Sequence, residues 1–218
     1  MGKLIVTEFM TLDGVGQAPG EPDEDRDGGF SYGGWQVPLL DEGSGDAMFE
    51  QARTMDALLL GRRTYEIFAH YWPQAPEEIP FTGLLNGVPK YVASHTLAAP
   101  LTWEGSMVLS GDLAESITAL KARHDEVQVI GSLDLAQSLL RLGLADRLNL
   151  WLYPLLLGAG KQVFADGTVP AALRLIGSTT WPNGTLQLTY ERAGEPTYGN
   201  LAVDTDDLMR IAGGHESA

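Results

Sequence analysis

Residues 56–66 combine residue types that suit anion binding. An apolar stretch of four residues leads through Gly61 into Arg62, Arg63 and Thr64. Such a stretch is typical of a buried strand, and glycine permits a sharp turn with close approach to a ligand. The free N–H groups at the start of a following helix favour a bound anion. Arginines at this end of a helix are unfavourable for the helix dipole, so their presence indicates an anionic ligand. The segment predicts an anion site; the alternative is an ordinary turn with two solvated arginines.

Two other positions follow predicted strands in the same way. Ser94 ends an apolar stretch at 90–94, and Gly131 with Ser132 ends another at 126–131. In open α/β sheets, ligands bind beyond the carboxyl ends of the strands, so these positions and Gly61 should lie together. A plain loop hydroxyl at Ser94 and a structural turn at Gly131 remain the alternatives.

Strands alternate with helices along most of the chain. The pattern predicts helices from a cap at Ser44 or Asp46, from Arg62 to about His70, over 113–124 behind Asp112, and after Ser132. Predicted strands occupy 3–10, 57–60, 90–94, 106–109, 126–131 and 146–153, a short extended piece 162–164, and a hairpin of 173–181 with 185–192. Residues 73–89 are predicted as a loop. An α/β domain with a mixed sheet follows, over residues 1–193, with an acidic tail over 194–218 that holds a helical turn near 208–211.

Charge and composition exclude several classes of partner. Fourteen basic and 29 acidic residues give a net charge of −15, which argues against nucleic acid or an anionic membrane as partner. The absence of cysteine excludes disulfides and thiolate metal sites, and the four histidines show no metal-binding spacing. The longest apolar run, 150–157, is far shorter than the ~20 residues of a membrane helix. We expect a soluble, cytoplasmic protein without a metal.

The acidic segment 17–34 is rich in glycine and proline. It is interpreted either as a solvated surface loop or as a mobile flap over a site.

Four motifs in order carry a family resemblance. They are residues 11–14 (TLDG), 60–66 (LGRRTYE), 129–132 (VIGS) and 154–164 (PLLLGAGKQVF). The chain resembles the dihydrofolate reductase-like superfamily, and most closely the branch with the reductase domain of bifunctional riboflavin-biosynthesis proteins. This resemblance spans residues 3–192. It implies a three-layer α/β domain with a mostly parallel central sheet and a C-terminal antiparallel hairpin.

The resemblance also implies NADPH as the cofactor. It assigns the cofactor phosphates to the first glycine turn, the adenosine 2′-phosphate to the third strand, and the pyrophosphate to the second glycine turn. The matching residues in this chain are Gly61, Arg62, Arg63, Thr64, Ser94, Gly131 and Ser132.

Two carboxylates are candidates for the chemistry. Folate-reducing relatives keep an acid early in the helix before the Gly-Arg motif, near Asp46 here, with Phe49 one turn on to stack against a flat ring. Shelter by Trp35 and Phe49 would raise the pKa of Asp46 and make it a proton donor; the alternative is a helix cap. In the riboflavin branch, the residue matching Asp13 lies beside nicotinamide and substrate, so Asp13 either orients substrate or only forms the turn.

The resemblance therefore implies an NADPH-dependent reductase. Its substrate would be a small heterocycle of pteridine or aminouracil type, or a carbonyl compound. The alternative is a non-catalytic NADP(H)- or small-ligand-binding protein of the same fold. The resemblance further implies a homodimer through sheet edges or C-terminal strands, for which the apolar segment 148–157 is a candidate if it is not a core strand.

Overall fold

The computed structural model describes residues 2–200, in which eight strands form one sheet. The strands are β1 (Lys3–Thr11), β2 (Ala57–Gly61), β3 (Lys90–Ala93), β4 (Ser106–Leu109), β5 (Glu126–Ile130), β6 (Arg147–Tyr153), β7 (Ala172–Thr180) and β8 (Leu186–Gly194). Their order is β4-β3-β2-β5-β1-β6-β8-β7. Strands β1 to β6 are parallel to one another, whereas β8 pairs antiparallel with both β6 and β7. The expected mixed sheet with a C-terminal hairpin is confirmed.

Within residues 2–200, five α-helices cover the two faces of this sheet. They are α1 (Glu42–Ala52), α2 (Arg62–Tyr71), α3 (Pro80–Gly87), α4 (Leu113–Arg123) and α5 (Leu133–Arg141). One core cluster contains buried residues of α1, α2 and α3, and another contains those of α4 and α5. The expected three layers are therefore present.

Strand β2 shows why the apolar run at 57–60 predicts a buried strand. Ala57 and Leu59 pack in the cluster under α4 and α5, while Leu58 and Leu60 pack in the cluster under α1, α2 and α3. A strand buried on both faces needs apolar residues at every position, so it lacks the alternation of a half-exposed strand.

The predicted loop at 73–89 is wrong over part of its length, because it contains α3. Pro80 lies at the first position of this helix, where its missing N–H has no intrahelical partner in any case. A region with several prolines can therefore hold a short helix that begins at one of them.

The start of α1 also differs from the prediction. Asp41 caps this helix: its side chain accepts from the Ser44 N–H at 2.7 Å, and Ser44 Oγ accepts from the Asp41 N–H in return. Neither Ser44 nor Asp46 is the cap, because the helix begins two residues before Ser44. The extended piece expected at 162–164 is a single bridge between Val15 and Gln162.

The far end of the chain is described only in part. Strand β8 reaches Gly194, and the helical turn expected near 208–211 lies outside the described residues. Among the helices of residues 2–200, none has the length and apolar character to cross a membrane.

We expect Tyr65→Phe to lower the free energy of unfolding by about 2 kcal/mol. The Tyr65 hydroxyl accepts from the backbone N–H groups of Thr102 and Trp103 at 3.0 and 3.2 Å, and phenylalanine would leave both donors unpaired. Urea unfolding measures the change. Tyr71→Phe, on the exposed side of the same helix, is the matched control and should change stability by under about 0.5 kcal/mol.

Candidate active site

A cavity of about 670 Å³ lies beyond the carboxyl ends of β2, β3 and β5. This volume is within the range of about 300–1,000 Å³ that is common for ligand pockets. All seven residues that the resemblance assigns to the cofactor line it: Gly61, Arg62, Arg63, Thr64, Ser94, Gly131 and Ser132. Residues distant in sequence thus share one wall.

The topology of the sheet creates this cavity. Neighbouring strands β2 and β5 send their chains in opposite directions, β2 through α2 towards β3 and β5 through α5 towards β6. The two helices cover opposite faces of the sheet. Such a reversal leaves a crevice between the two strand ends, where ligands bind in open α/β sheets.

The helices α2 and α5 both begin at the cavity wall without a side-chain cap. The N–H groups of an uncapped first turn have no intrahelical acceptor, and the helix dipole adds partial positive charge at the same place. Two such N-termini in one wall suit a ligand with more than one anionic group.

A hydrogen bond joins the two glycine turns. The Gly61 N–H donates to Ser132 Oγ at 3.0 Å. The sharp turn expected at Gly61 belongs instead to Gly131 and Ser132, whose φ angles are 68° and 69°, whereas Gly61 has an ordinary φ of −76°. A non-glycine residue in the left-handed region carries strain that the surrounding structure must hold, and such residues cluster at functional sites.

Arg62 and Arg63 differ in their partners. Arg62 pairs with Glu66 one turn on at 3.0 Å, and its side chain is 44% exposed. Arg63 is bound by the acidic segment, with one amino group 2.5 Å from Asp25 and the other 2.5 Å from Asp27. The Arg63 side chain is 42% exposed, so the two arginines differ in their partners and not in exposure: Arg62 pairs with one carboxylate and Arg63 with two.

Lys161 completes a cluster that we call the charge clamp, made of Asp25, Asp27, Arg63 and Lys161. Lys161 Nζ lies 2.6 Å from Asp25 and 3.0 Å from Asp27. Hydrogen bonds from Arg63 and then Lys161 lower the pKa of Asp27 to about 2. The acidic segment is thus anchored beside the cavity, which is the position expected of a flap, instead of being free in solvent.

Ser94 lies beside Arg62 in the cavity wall. Gly61 pairs with Ala93 in the sheet, so the chain continues into Arg62 and Ser94 side by side. Ser94 Oγ accepts from the backbone N–H groups of Thr96 and Leu97, and its hydroxyl proton can still be donated.

Asp13 does not line the cavity. Its carboxylate accepts from the Thr11 hydroxyl and from the N–H groups of Leu157 and Gly158, so it shapes the glycine-rich loop after β6. The Thr11 hydroxyl and these N–H groups lower its pKa. Asp13 is therefore ionised at neutral pH and has no proton to donate.

The expected shelter of Asp46 by Trp35 and Phe49 is wrong. Asp46 is exposed on α1, and none of the three residues lines the cavity. Trp35 is buried, donates to the Gln17 carbonyl and packs against Tyr153, while Phe49 packs edge-on against Phe81. Both rings are engaged by other parts of the protein, and Asp46 is left exposed.

Glu8 is a cavity residue that sequence reasoning missed. It lies on β1 with 1% of its surface exposed, and Oε1 has no hydrogen-bond partner among the described residues. Burial raises the pKa of Glu8 to about 8. The available signal was an acidic residue inside the otherwise apolar strand 3–10. Among residues 2–200, no group of histidine and carboxylate side chains could hold a metal ion.

Comparisons with known proteins agree with this architecture. The family model of the RibD C-terminal domain matches residues 2–187. YyaP of Bacillus subtilis (strain 168) is 25% identical over 197 residues, which cover 88% of this chain and 96% of YyaP.

Solved structures show the same fold. The pyrimidine reductase-like protein of Corynebacterium diphtheriae matches with a TM-score of 0.64 at 16% identity, over 89% of this chain and 93% of that one. A diaminohydroxyphosphoribosylaminopyrimidine deaminase/5-amino-6-(5-phosphoribosylamino)uracil reductase of Thermotoga maritima matches with a TM-score of 0.58 at 17% identity, over 88% of this chain and 57% of that one.

Loss of Lys161 should release the acidic segment. Trypsin cleavage after Arg26, which lies inside the segment, reports its opening. We expect Lys161→Met to speed this cleavage about three- to ten-fold, because two ion pairs to the segment disappear. Arg53→Met removes an exposed arginine paired only with Glu50 and is the control. Equal cleavage of Lys161→Met and wild type would show that the clamp does not hold the segment.

Proposed function

The chain belongs to the RibD C-terminal domain family, and from this premise we propose that it is an NADPH-dependent reductase. The proposed substrate is a small heterocycle of aminouracil or pteridine type, or a carbonyl compound. The observation that carries the proposal is the cavity in which the uncapped N-termini of α2 and α5 meet beside Arg62 and Ser94.

The residues present suit a dinucleotide with three phosphates. The two helix N-termini offer backbone donors for a pyrophosphate. Arg62 offers a guanidinium that can hold a phosphate through two parallel hydrogen bonds, and Ser94 offers a hydroxyl beside it. This arrangement supports binding of a 2′-phosphate at Arg62 and Ser94.

The chemistry supplied by bound NADPH is a hydride from its nicotinamide ring. The protein must then hold donor and acceptor together and keep water away. Gln17, Ala18 and Pro19 line the cavity from the segment that the charge clamp anchors. This anchored wall supports a closed, ordered site.

The alternative is a binding protein of the same fold without turnover. Its support is that Asp46 and Asp13, the two expected catalytic carboxylates, lie outside the cavity.

Binding and turnover separate the two functions. We expect NADPH at tens of micromolar to raise Tm and to change tryptophan fluorescence. We also expect NADPH oxidation with at least one compound among dihydropteridines, dihydrofolate, aminouracils and dicarbonyls. Binding without oxidation would favour the alternative, and the absence of binding would contradict both.

Arg62→Ala should weaken NADPH about 10- to 100-fold and NADH by less than about two-fold, because only NADPH carries the 2′-phosphate. Arg63→Ala should not discriminate between the two cofactors, since Asp25 and Asp27 hold that guanidinium. Isothermal titration of both cofactors against wild type, each variant and the double variant measures this. Equal losses for NADPH and NADH in Arg62→Ala would rule out the 2′-phosphate assignment.

We propose a homodimer through edge strand β7. The segment 148–157 is mostly β6, which lies between β1 and β8 and is largely buried, so it is a core strand. Strand β7 instead exposes Leu173, Leu175 and Ile176. Such an exposed apolar edge supports pairing with a second copy.

Light scattering at micromolar concentration should show that the wild type is a dimer. Leu175→Asp should be a monomer, because the new carboxylate would be buried in the interface without a partner. Leu142→Asp replaces an equally exposed leucine outside β7 and should remain dimeric. A monomeric wild type would contradict this assembly.

A further inference from the structure

Glu8 is a carboxyl buried in the wall of the cavity. It is 1% exposed, Oε1 accepts no hydrogen bond, and no ion pair reaches it within the described residues. Burying a polar group without a partner costs about 1–3 kcal/mol by protein mutational data. A buried, unpaired polar residue lowers stability and therefore needs an explanation, and its position in a cavity wall indicates a functional role there.

The position of Glu8 follows from the strand register. Leu4 and Val6, which alternate with it along β1, belong to the core cluster under α4 and α5, so Glu8 continues that row. The pairing of β1 with β5 ends at Thr7 and Ile130, and the turn at Gly131 begins beside it. Glu8 is therefore the first residue of its row to pass the end of β5 and reach the cavity.

The other titratable groups in this wall have different surroundings. Arg63, Asp25, Asp27 and Lys161 pair with one another, Arg62 pairs with Glu66, and Glu24 accepts from the N–H groups of Gly20 and Glu21. His95 and Asp134 are exposed. None forms an ion pair with Glu8, so no neighbouring cation favours its ionised form.

We propose that Glu8 is the catalytic acid of this site and donates its carboxyl proton to the substrate. The inference rests on the reductase function proposed above. It assigns the substrate to the part of the cavity beside Glu8 on β1. It also specifies the substrate class: a C=N or C=O group whose heteroatom can accept a hydrogen bond from a neutral carboxylic acid.

The step balances as follows. The carbon of the C=N or C=O group receives a hydride, and NADPH, the proposed reductant, becomes NADP⁺. The two π electrons move to the nitrogen or oxygen, which takes the proton from Glu8 and becomes N–H or O–H. Glu8 is left as a carboxylate and regains its proton from water that enters when product leaves.

The raised pKa has a clear pH consequence. Burial favours the neutral form of Glu8, so its native-state pKa of about 8 exceeds the ordinary value of 4.5. The free-energy cost of burying Glu8 is therefore smallest below pH 4.5, where both states are protonated, and it grows as pH rises towards 8, so the native state loses stability over this range. The proton needed for catalysis is lost above pH 8.

The experiment compares Glu8→Gln, which keeps shape but cannot donate an acidic proton, with Glu8→Met, which removes both polar atoms. The control is Glu126→Gln, which neutralises a carboxylate at the opposite end of neighbouring β5, away from the cavity. Each protein is assayed for NADPH affinity, for NADPH oxidation with the panel above, and for Tm from pH 5 to pH 9.

We expect both Glu8 variants to bind NADPH within about two-fold of wild type and to lose about 10²- to 10⁴-fold in kcat. Wild-type kcat should fall above pH 8 with loss of one proton, and the residual rate of Glu8→Gln should lack this fall. The Tm of Glu8→Met should exceed that of wild type, by a margin that grows from pH 5 to pH 8.

Four results would overturn the role of Glu8. A kcat for Glu8→Gln within three-fold of wild type, or an unchanged pH profile, would refute proton donation while leaving the reductase function intact. A lower Tm for Glu8→Met throughout the pH range would show that the Glu8 carboxyl stabilises the fold. A wild type that binds NADPH but oxidises it with no panel compound would instead refute the reductase function and this role with it.

Discussion

The junction of the two glycine turns is the constraint on which the rest of the site depends. The Gly61 N–H and Ser132 Oγ join the ends of β2 and β5 at the point where the chain direction reverses across the sheet. Because α2 and α5 leave this junction on opposite faces, their N-termini meet at one cavity while their apolar faces build separate cores. The meeting of the two helix N-termini and the three-layer fold therefore have the same topological origin.

The cavity wall carries positively charged groups, whereas the whole chain has a negative net charge. A protein with a net charge of −15 repels anions at long range, so an anionic cofactor must be held by short-range donors. Backbone N–H groups and Arg62 can supply them. The charge clamp uses Arg63 and Lys161 for a different purpose, since both cations are neutralised by Asp25 and Asp27 and hold the covering segment in place.

Two acidic side chains of the same strand region acquire opposite properties from their surroundings. Asp13 accepts several hydrogen bonds, which lower its pKa, whereas burial alone raises the pKa of Glu8 to about 8. One is an ionised organiser of a loop and the other is a neutral acid in the cavity wall. Environments that separate the pKa values of nearby carboxyls are common in enzyme sites, and they identify which of two acids can supply a proton.

The sequence by itself predicted the family, the alternation of strands and helices, and seven residues that line one cavity, because these depend on local patterns: an apolar strand, a glycine and the helix that follows. That these seven residues bind the cofactor is implied by the resemblance alone. Only the tertiary structure decided which acid reaches the cavity. Asp46, Trp35 and Phe49 lie outside it and Glu8 lines it, because strand register and the start of α1 determine which side chains face the cavity. The partners of Arg63 were hidden for the same reason, since Asp25 and Asp27 are distant in sequence and meet it only when the segment folds back.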